Sequence, residues 1–252
     1  MFFGTSALVF AASVALTIVW CTSGMCDMRM PGGWTMSMAW MPMPGQTWLG
    51  AATSFIGMWV VMMMAMMLPS LFPTLWRYRE AVGAAGETRL GSLTAWVGAG
   101  YFLVWALWGV AAFPLGASLS ALAMQHPSVA RAVPVALGAV VAVAGLVQST
   151  RWKVRQLACC REAPGPGRPR RPDAATAWRV GIRHGVRCSQ CCAAPMAILL
   201  AFGVMDLRAM AVVTAAITAE RLAPAGAAVA RTIGAAAIGA GLLLIARATL
   251  AG

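Results

Sequence analysis

Trp48-Leu-Gly-Ala-Ala-Thr-Ser-Phe-Ile-Gly-Met-Trp-Val-Val-Met-Met-Met-Ala-Met-Met-Leu-Pro-Ser-Leu-Phe-Pro-Thr-Leu-Trp76 carries no charged side chain. A helix rising about 1.5 Å per residue needs about 20 such residues to cross a hydrocarbon core of about 30 Å, and this run exceeds that length. Comparable stretches lie on both sides. Gly4–Trp20 reads as a retained first helix, since Met1-Phe2-Phe3 has no basic residue and no small-x-small cleavage pattern follows Trp20. A third helix is expected over about Ser92–Phe113, closed by Pro114, and a fourth over Ala132–Thr150. A fifth covers Cys191–Met205, entered from about Cys188, and a last one covers Thr232–Ala251. Between these, Ala209–Ala219 would rise only about 17 Å, so it is read as a short or re-entrant segment following the turn Asp206-Leu207-Arg208.

Composition agrees with the spans. Of 252 residues 60% are apolar and 10% charged, and the mean hydropathy is +0.76. Soluble domains are about 45–50% apolar, so a soluble fold is excluded. The fold class expected is an all-α polytopic transmembrane bundle of six to seven spans, a single integral membrane domain over residues 1–252. A Met-rich extracytoplasmic loop lies at 23–47. A basic cytoplasmic loop at 151–187 links the N-terminal and C-terminal helix groups, with a Pro/Gly/Arg-rich flexible linker at Ala163–Pro172.

The net charge of +12 concentrates in that second loop, where ten of the nineteen Lys and Arg lie between Arg151 and Arg187. Beside hydrophobic spans such a cluster means cytoplasmic retention and anionic lipid, not nucleic acid. The loop Arg77–Arg89 adds three Arg against two Glu, whereas Cys21–Gln46 holds only Asp27 and Arg29. This charge bias predicts a multi-pass protein of the plasma (inner) membrane with its N-terminus in the cytoplasm.

Sulfur dominates the remaining chemistry, with 18 Met and 7 Cys. Met25, Cys26, Met28, Met30, Met36, Met38, Met41 and Met43 crowd the outer loop among Pro and Gly. Thioethers are soft neutral donors that suit Cu(I) better than hard divalent ions, and they survive where thiolates would oxidise. The same residues also serve as flexible hydrophobes on a membrane surface. In the helix that follows, Met58, Met62 and Met66 share one face, and Met63 and Met67 the adjoining one. Either they pack, or they continue the thioether surface inward. A kink is expected at Pro69.

The sharpest motif is His184-Gly-Val-Arg-Cys188-Ser-Gln-Cys191-Cys192. If helical, it puts His184, Cys188 and Cys191 or Cys192 on one face, a donor set suited to Cu(I) or tetrahedral Zn²⁺. Arg183 and Arg187 favour thiolates, and Pro195 opposes the Cys191 carbonyl, which predicts irregular backbone there. Cys159 and Cys160 stand either as accessory ligands or as exposed bystanders. Cys21 and Cys26 flank the outer membrane exit. Glu220 is a candidate by membrane depth, or else half of an interfacial pair with Arg221. Trp96, Trp105 and Trp108 read as packing and interface anchors, and Ala235, Gly239 and Gly241 as helix-packing positions.

Taken together, Trp59-Val-Val-Met62-Met-Met-Ala65-Met66-Met67-Leu-Pro69-Ser70, the motif from His184 through Cys192 to Met196, Gly203-Val-Met205-Asp206-Leu207, Met210 and Glu220 form a recognisable pattern. It resembles an uncharacterised bacterial family, a domain of unknown function whose members are predicted metal-binding integral membrane proteins. The resemblance implies metal binding. The chain differs from the family pattern at Asp206, at Ala193, and at Gln156, where that pattern has the first of two separated cysteines.

Three functions remain open from these readings. The first is a membrane protein handling Cu(I) through Met and Cys as a delivery or storage factor, or as an accessory subunit of a membrane cuproenzyme. Its metal ligands would come from Cys188, Cys191, Cys192, His184, Met25, Cys26, Met28, Met30, Met36, Met38, Met62, Met66 and Glu220. Copper is its expected ion with zinc as the other candidate, and its partners are the bilayer and a copper chaperone or cuproenzyme subunit. The second is a thiol–disulfide oxidoreductase using Cys188/Cys191. The third is a structural subunit of a membrane complex. No nucleotide-binding loop is present, which excludes a primary pump.

Overall fold

The computed structural model describes residues 2–22, 28–30, 34–84, 86–161 and 173–251. The expected linker at 163–172 and the candidates Met25 and Cys26 lie outside them, as does the side chain of Met28. The fold is all-helical apart from one two-residue strand pair. In chain order come α1 (Phe2–Thr22), β1 (Met28–Arg29), β2 (Thr35–Met36), a 3-10 turn (Met38–Trp40), α2 (Trp48–Ala84), α3 (Leu90–Gln125) and α4 (Pro127–Gln148). Then follow α5 (Arg151–Arg161), α6 (Ala174–Phe202), α7 (Leu207–Leu222) and α8 (Gly226–Ala251). Six of these (α1, α2, α3, α4, α6 and α8) are long and apolar enough to cross a membrane. At 16 residues α7 rises about 24 Å and falls short, as the sequence indicated.

Several boundaries differ from the sequence reading. Pro114 does not end α3, which runs on to Gln125, and α4 begins at Pro127 rather than Ala132. Pro69 and Pro73 lie inside α2, and Pro195 inside α6. In an apolar bundle, breaking the helix would strand several backbone groups away from water, which costs more than the one hydrogen bond a proline removes. The fifth span also begins and ends earlier than expected, at Ala174 and Phe202. The basic segment is therefore largely helical, with α5 and the first turns of α6 at its two ends.

Close helix approaches assemble the bundle. α3 lies along α6, α4 along α8, and α2 sits between α1 and α3, while α5 and α7 both meet α6. A Cβ on Gly145 of α4 would come within 2.6 Å of the Gly234 carbonyl on α8, and one on Gly241 within 2.5 Å of the Ala142 amide. The contact stripe of α8 is thus Gly234, Ala237 and Gly241; Ala235 and Gly239 point outward, which corrects their assignment as packing positions. On α6, Gly181 and Gly185 meet the backbone of α3 at Val97 and Tyr101 in the same way. Between α6 and α7, Gly203 turns the chain at φ 116°, a region other residues avoid. Asp206 then caps α7 by accepting from the amides of Arg208 and Ala209 at 2.8 and 3.1 Å.

Candidate functional site: a buried sulfur cluster

Helix α6 supplies the centre. Its buried face repeats at three- and four-residue steps through Ala177, Gly181, His184, Gly185, Cys188, Cys191, Cys192 and Met196. The motif is helical throughout, and all three of its thiols are buried. Pro195 leaves the Cys191 carbonyl without its helical donor, yet the backbone stays regular because the ammonium of Lys153 on α5 donates to that oxygen at 2.7 Å. Lys153 also pairs with Glu220 on α7 at 2.6 Å, and Gln148 of α4 donates its amide to the same carboxylate. Glu220 is therefore the partner of Lys153, not of the adjacent Arg221.

Arg221 turns to the thiols instead. Its guanidinium donates to Cys188 Sγ at 3.3 Å and to Ser70 Oγ of α2 at 2.8 Å, and lies 3.3 Å from His184 Nε2. Tyr101 of α3 donates its hydroxyl to Cys188 Sγ at 3.0 Å. Cys188 and Cys192, one helical turn apart, hold their sulfurs 3.8 Å from each other. Two sulfurs each about 2.3 Å from one ion, at an angle of about 110–120°, would be separated by about 3.8–4.0 Å. The pair is thus spaced as a two-thiol grip on a single ion. Among the described residues no three His, Cys, Asp or Glu side chains form a set ready to hold a metal ion. A further donor would have to be a thioether or a thiol that moves.

Cys160 is the residue that sequence reasoning undervalued. It lies buried on α5, in the same cluster as Cys188, Cys191 and Cys192. Cys159, its neighbour, is exposed. The signal was present as Lys153, Leu157 and Cys160 at i, i+4 and i+7, which is one buried helix face.

The methionines of α2 face inward. Met58, Met62, Met63, Met66 and Met67 are buried in one cluster with Cys160, Cys188, Cys191, Cys192, Met196 and Met210. The rise from Met58 to Met66 is about 12 Å. At the Met58 end a cleft of about 380 Å³ is lined by Met41, Met43, Met58 and Met205 among others. Cys21 Sγ reaches Met205 Sδ at 3.9 Å beside it. Trp40, Phe55 and Phe113 pack with tilted rings in the same cluster as Met58, with Trp40–Phe55 centroids 4.8 Å apart.

The other candidates from the outer loop form a separate cluster. Met30 and Met36 are buried against Ala123 and Ala130, packed with Trp34 and Met41, and Met38 is half-buried in the 3-10 turn. Met28 pairs by its backbone with Met36. Trp34 anchors this loop by donating its indole N–H at 2.9 Å to the Ala130 carbonyl, which Pro134 four residues on cannot satisfy. The structure thus places Cys188, Cys191, Cys192, Met62 and Met66 in one buried cluster, sets His184 beside Arg221 and Glu220 beside Lys153, and keeps Met30 and Met36 in a separate cluster. His184 and Glu220 already spend their acceptor atoms on Arg221 and Lys153.

A search of curated proteins and one of solved structures gave no match. A family model described as PpoB2, copper chaperone, matches residues 56–244. The matched region contains the α2 methionines, Cys160, the Cys188–Cys192 motif, Glu220 and Arg221, and leaves out the Met-rich loop. Covering well over half of the 252 residues, the match shows that this chain belongs to the PpoB2 copper chaperone family.

Proposed function

We propose that the chain carries Cu(I) as cargo through a membrane bundle, holding it at Cys188 and Cys192 with thioether help and passing it to a copper-dependent acceptor. The observation that supports this is the buried sulfur column, in which the α2 methionines run from the outer cleft into the same cluster as the cysteines. Soft neutral thioethers bind a soft monovalent ion weakly enough to release it, whereas a thiolate pair retains it. The Met-rich loop at 23–47 receives the ion on the extracytoplasmic side. The charge bias of the loops supports an orientation with the N-terminus and α5 at the cytoplasmic face of the plasma membrane. The acceptor is a membrane cuproenzyme or a second copper carrier.

The test is an anaerobic Cu(I) titration of the purified full-length protein in detergent, against a competing chromophoric chelator. Wild type is expected to take up about one tightly held ion, and Cys188→Ser/Cys192→Ser to lose it. Full retention by that double variant would overturn the reading. A protein that binds no copper but forms a reversible Cys188–Cys191 disulfide would instead be a thiol oxidoreductase.

A further inference from the structure

Arg221 is 6% exposed, yet among the described residues no carboxylate pairs with it. The neighbouring Glu220 is neutralised by Lys153 at 2.6 Å, and the polar partners of Arg221 are Ser70, Cys188 and the His184 ring. A buried cation without a counter-charge is expensive, and among the described residues the geometry offers it one in the sulfur of Cys188. Lys153 and Glu220 cancel, and His184, accepting from the guanidinium, is neutral. Among the described residues, with both thiols protonated, the pocket around them therefore carries a single surplus positive charge.

We propose that Arg221 is a specificity-determining residue, whose unpaired buried guanidinium beside Cys188 favours a dithiolate complex of a monovalent soft ion over that of a divalent ion. This rests on the metal reading of Cys188 and Cys192. When both thiols give their protons to the solvent and one monovalent cation enters, the complex bears a single net negative charge, which the guanidinium balances. A divalent cation on the same two thiolates gives a neutral complex and leaves Arg221 as an uncompensated buried charge. In a low-dielectric pocket that difference adds to the preference of thiolate sulfur for soft monovalent ions. The hydroxyl of Tyr101, donating to the same Sγ at 3.0 Å, adds to the bias toward a charged sulfur.

The experiment compares Ag(I), a redox-inert monovalent probe, with Zn²⁺ on the full chain in detergent, for wild type, Arg221→Lys and Arg221→Gln. Arg221→Gln is expected to lower the Ag(I)-to-Zn²⁺ affinity ratio by about tenfold or more, while Arg221→Lys keeps most of it. An unchanged ratio in Arg221→Gln would overturn the proposal while leaving the metal site standing. Failure of wild type to bind Ag(I), or binding that survives Cys188→Ser/Cys192→Ser, would remove the site itself. Should Arg221→Gln not fold, proton release from wild type decides. At least one proton, that of Cys192, should leave per Ag(I) bound, and release of none would mean the charged dithiolate complex never forms.

Discussion

Pro195 cannot donate to the carbonyl of Cys191, and the ammonium of Lys153 takes that carbonyl while pairing with Glu220. One side chain thus closes a gap in α6 and neutralises a buried carboxylate on α7. Removing it leaves both exposed to an apolar interior. Lys153→Met is expected to destabilise the protein by about 3–5 kcal/mol in detergent unfolding, and Lys153→Met/Glu220→Gln to regain most of that. A single variant as stable as wild type would refute the pairing. The sequence displayed Glu220 beside Arg221, and adjacency suggested that they pair. Successive helical residues point about 100° apart, so the two side chains reach different neighbours, and only the position of α5 reveals which. Lys153, Gln148 and Tyr101 carry no motif, and their roles arise wholly from helix contacts.

At the level of elements, glycine sets the contact between α3 and α6. A Cβ on Gly181 would strike the Val97 carbonyl, whereas one on Gly239 of α8 would meet nothing within 4 Å. Gly181→Leu is therefore expected to cost about 1–3 kcal/mol or to prevent assembly, and Gly239→Ala to be silent in the same unfolding assay. Equal effects would show that α3 and α6 do not meet as described. The start of α6 responds to pH. The Thr176 hydroxyl and the Thr176 amide, which donates to Asp173 Oδ1 at 2.8 Å, hold the carboxyl below its ordinary value of 3.8. A lowered folded value means that the cap is fully present above the ordinary value and is lost as pH falls through the folded one. Amide exchange at Thr176 should accelerate in that acid window beyond the intrinsic trend, and Asp173→Ala should abolish the step; a profile shared by both proteins would contradict it. The spans were legible because long uncharged runs admit only one solvent. Their ends were less so, because a proline such as Pro114 marks a helix end in water but not inside an apolar bundle that tolerates one missing bond.

Across the whole molecule, sulfur is arranged along an axis. Met41, Met43 and Met205 border a cleft at one end, the α2 methionines fill the middle, and Cys160, Cys188, Cys191 and Cys192 close the other. The His184–Cys192 motif and the α2 methionine faces were readable by helical period, since both sit on single helices. For Cys160 the helical period marks only the face it shares with Lys153 and Leu157, because its approach to the motif depends on how α5 folds back, which no local pattern encodes. Met30 and Met36 were read with the same metal set, yet Trp34 ties their loop to Ala130, away from the cysteines. If the methionines of the middle serve transit rather than retention, Met62→Leu/Met66→Leu should keep the tightly bound ion but slow its loading several-fold in stopped-flow mixing. Unchanged loading would reduce those residues to packing. The most direct measurement of the central claim is X-ray absorption on the Cu(I)-loaded protein. The account predicts a shell of two or three sulfurs at about 2.3 Å that disappears in Cys188→Ser/Cys192→Ser. A nitrogen- or oxygen-dominated shell, or a sulfur shell unchanged in that variant, would contradict it.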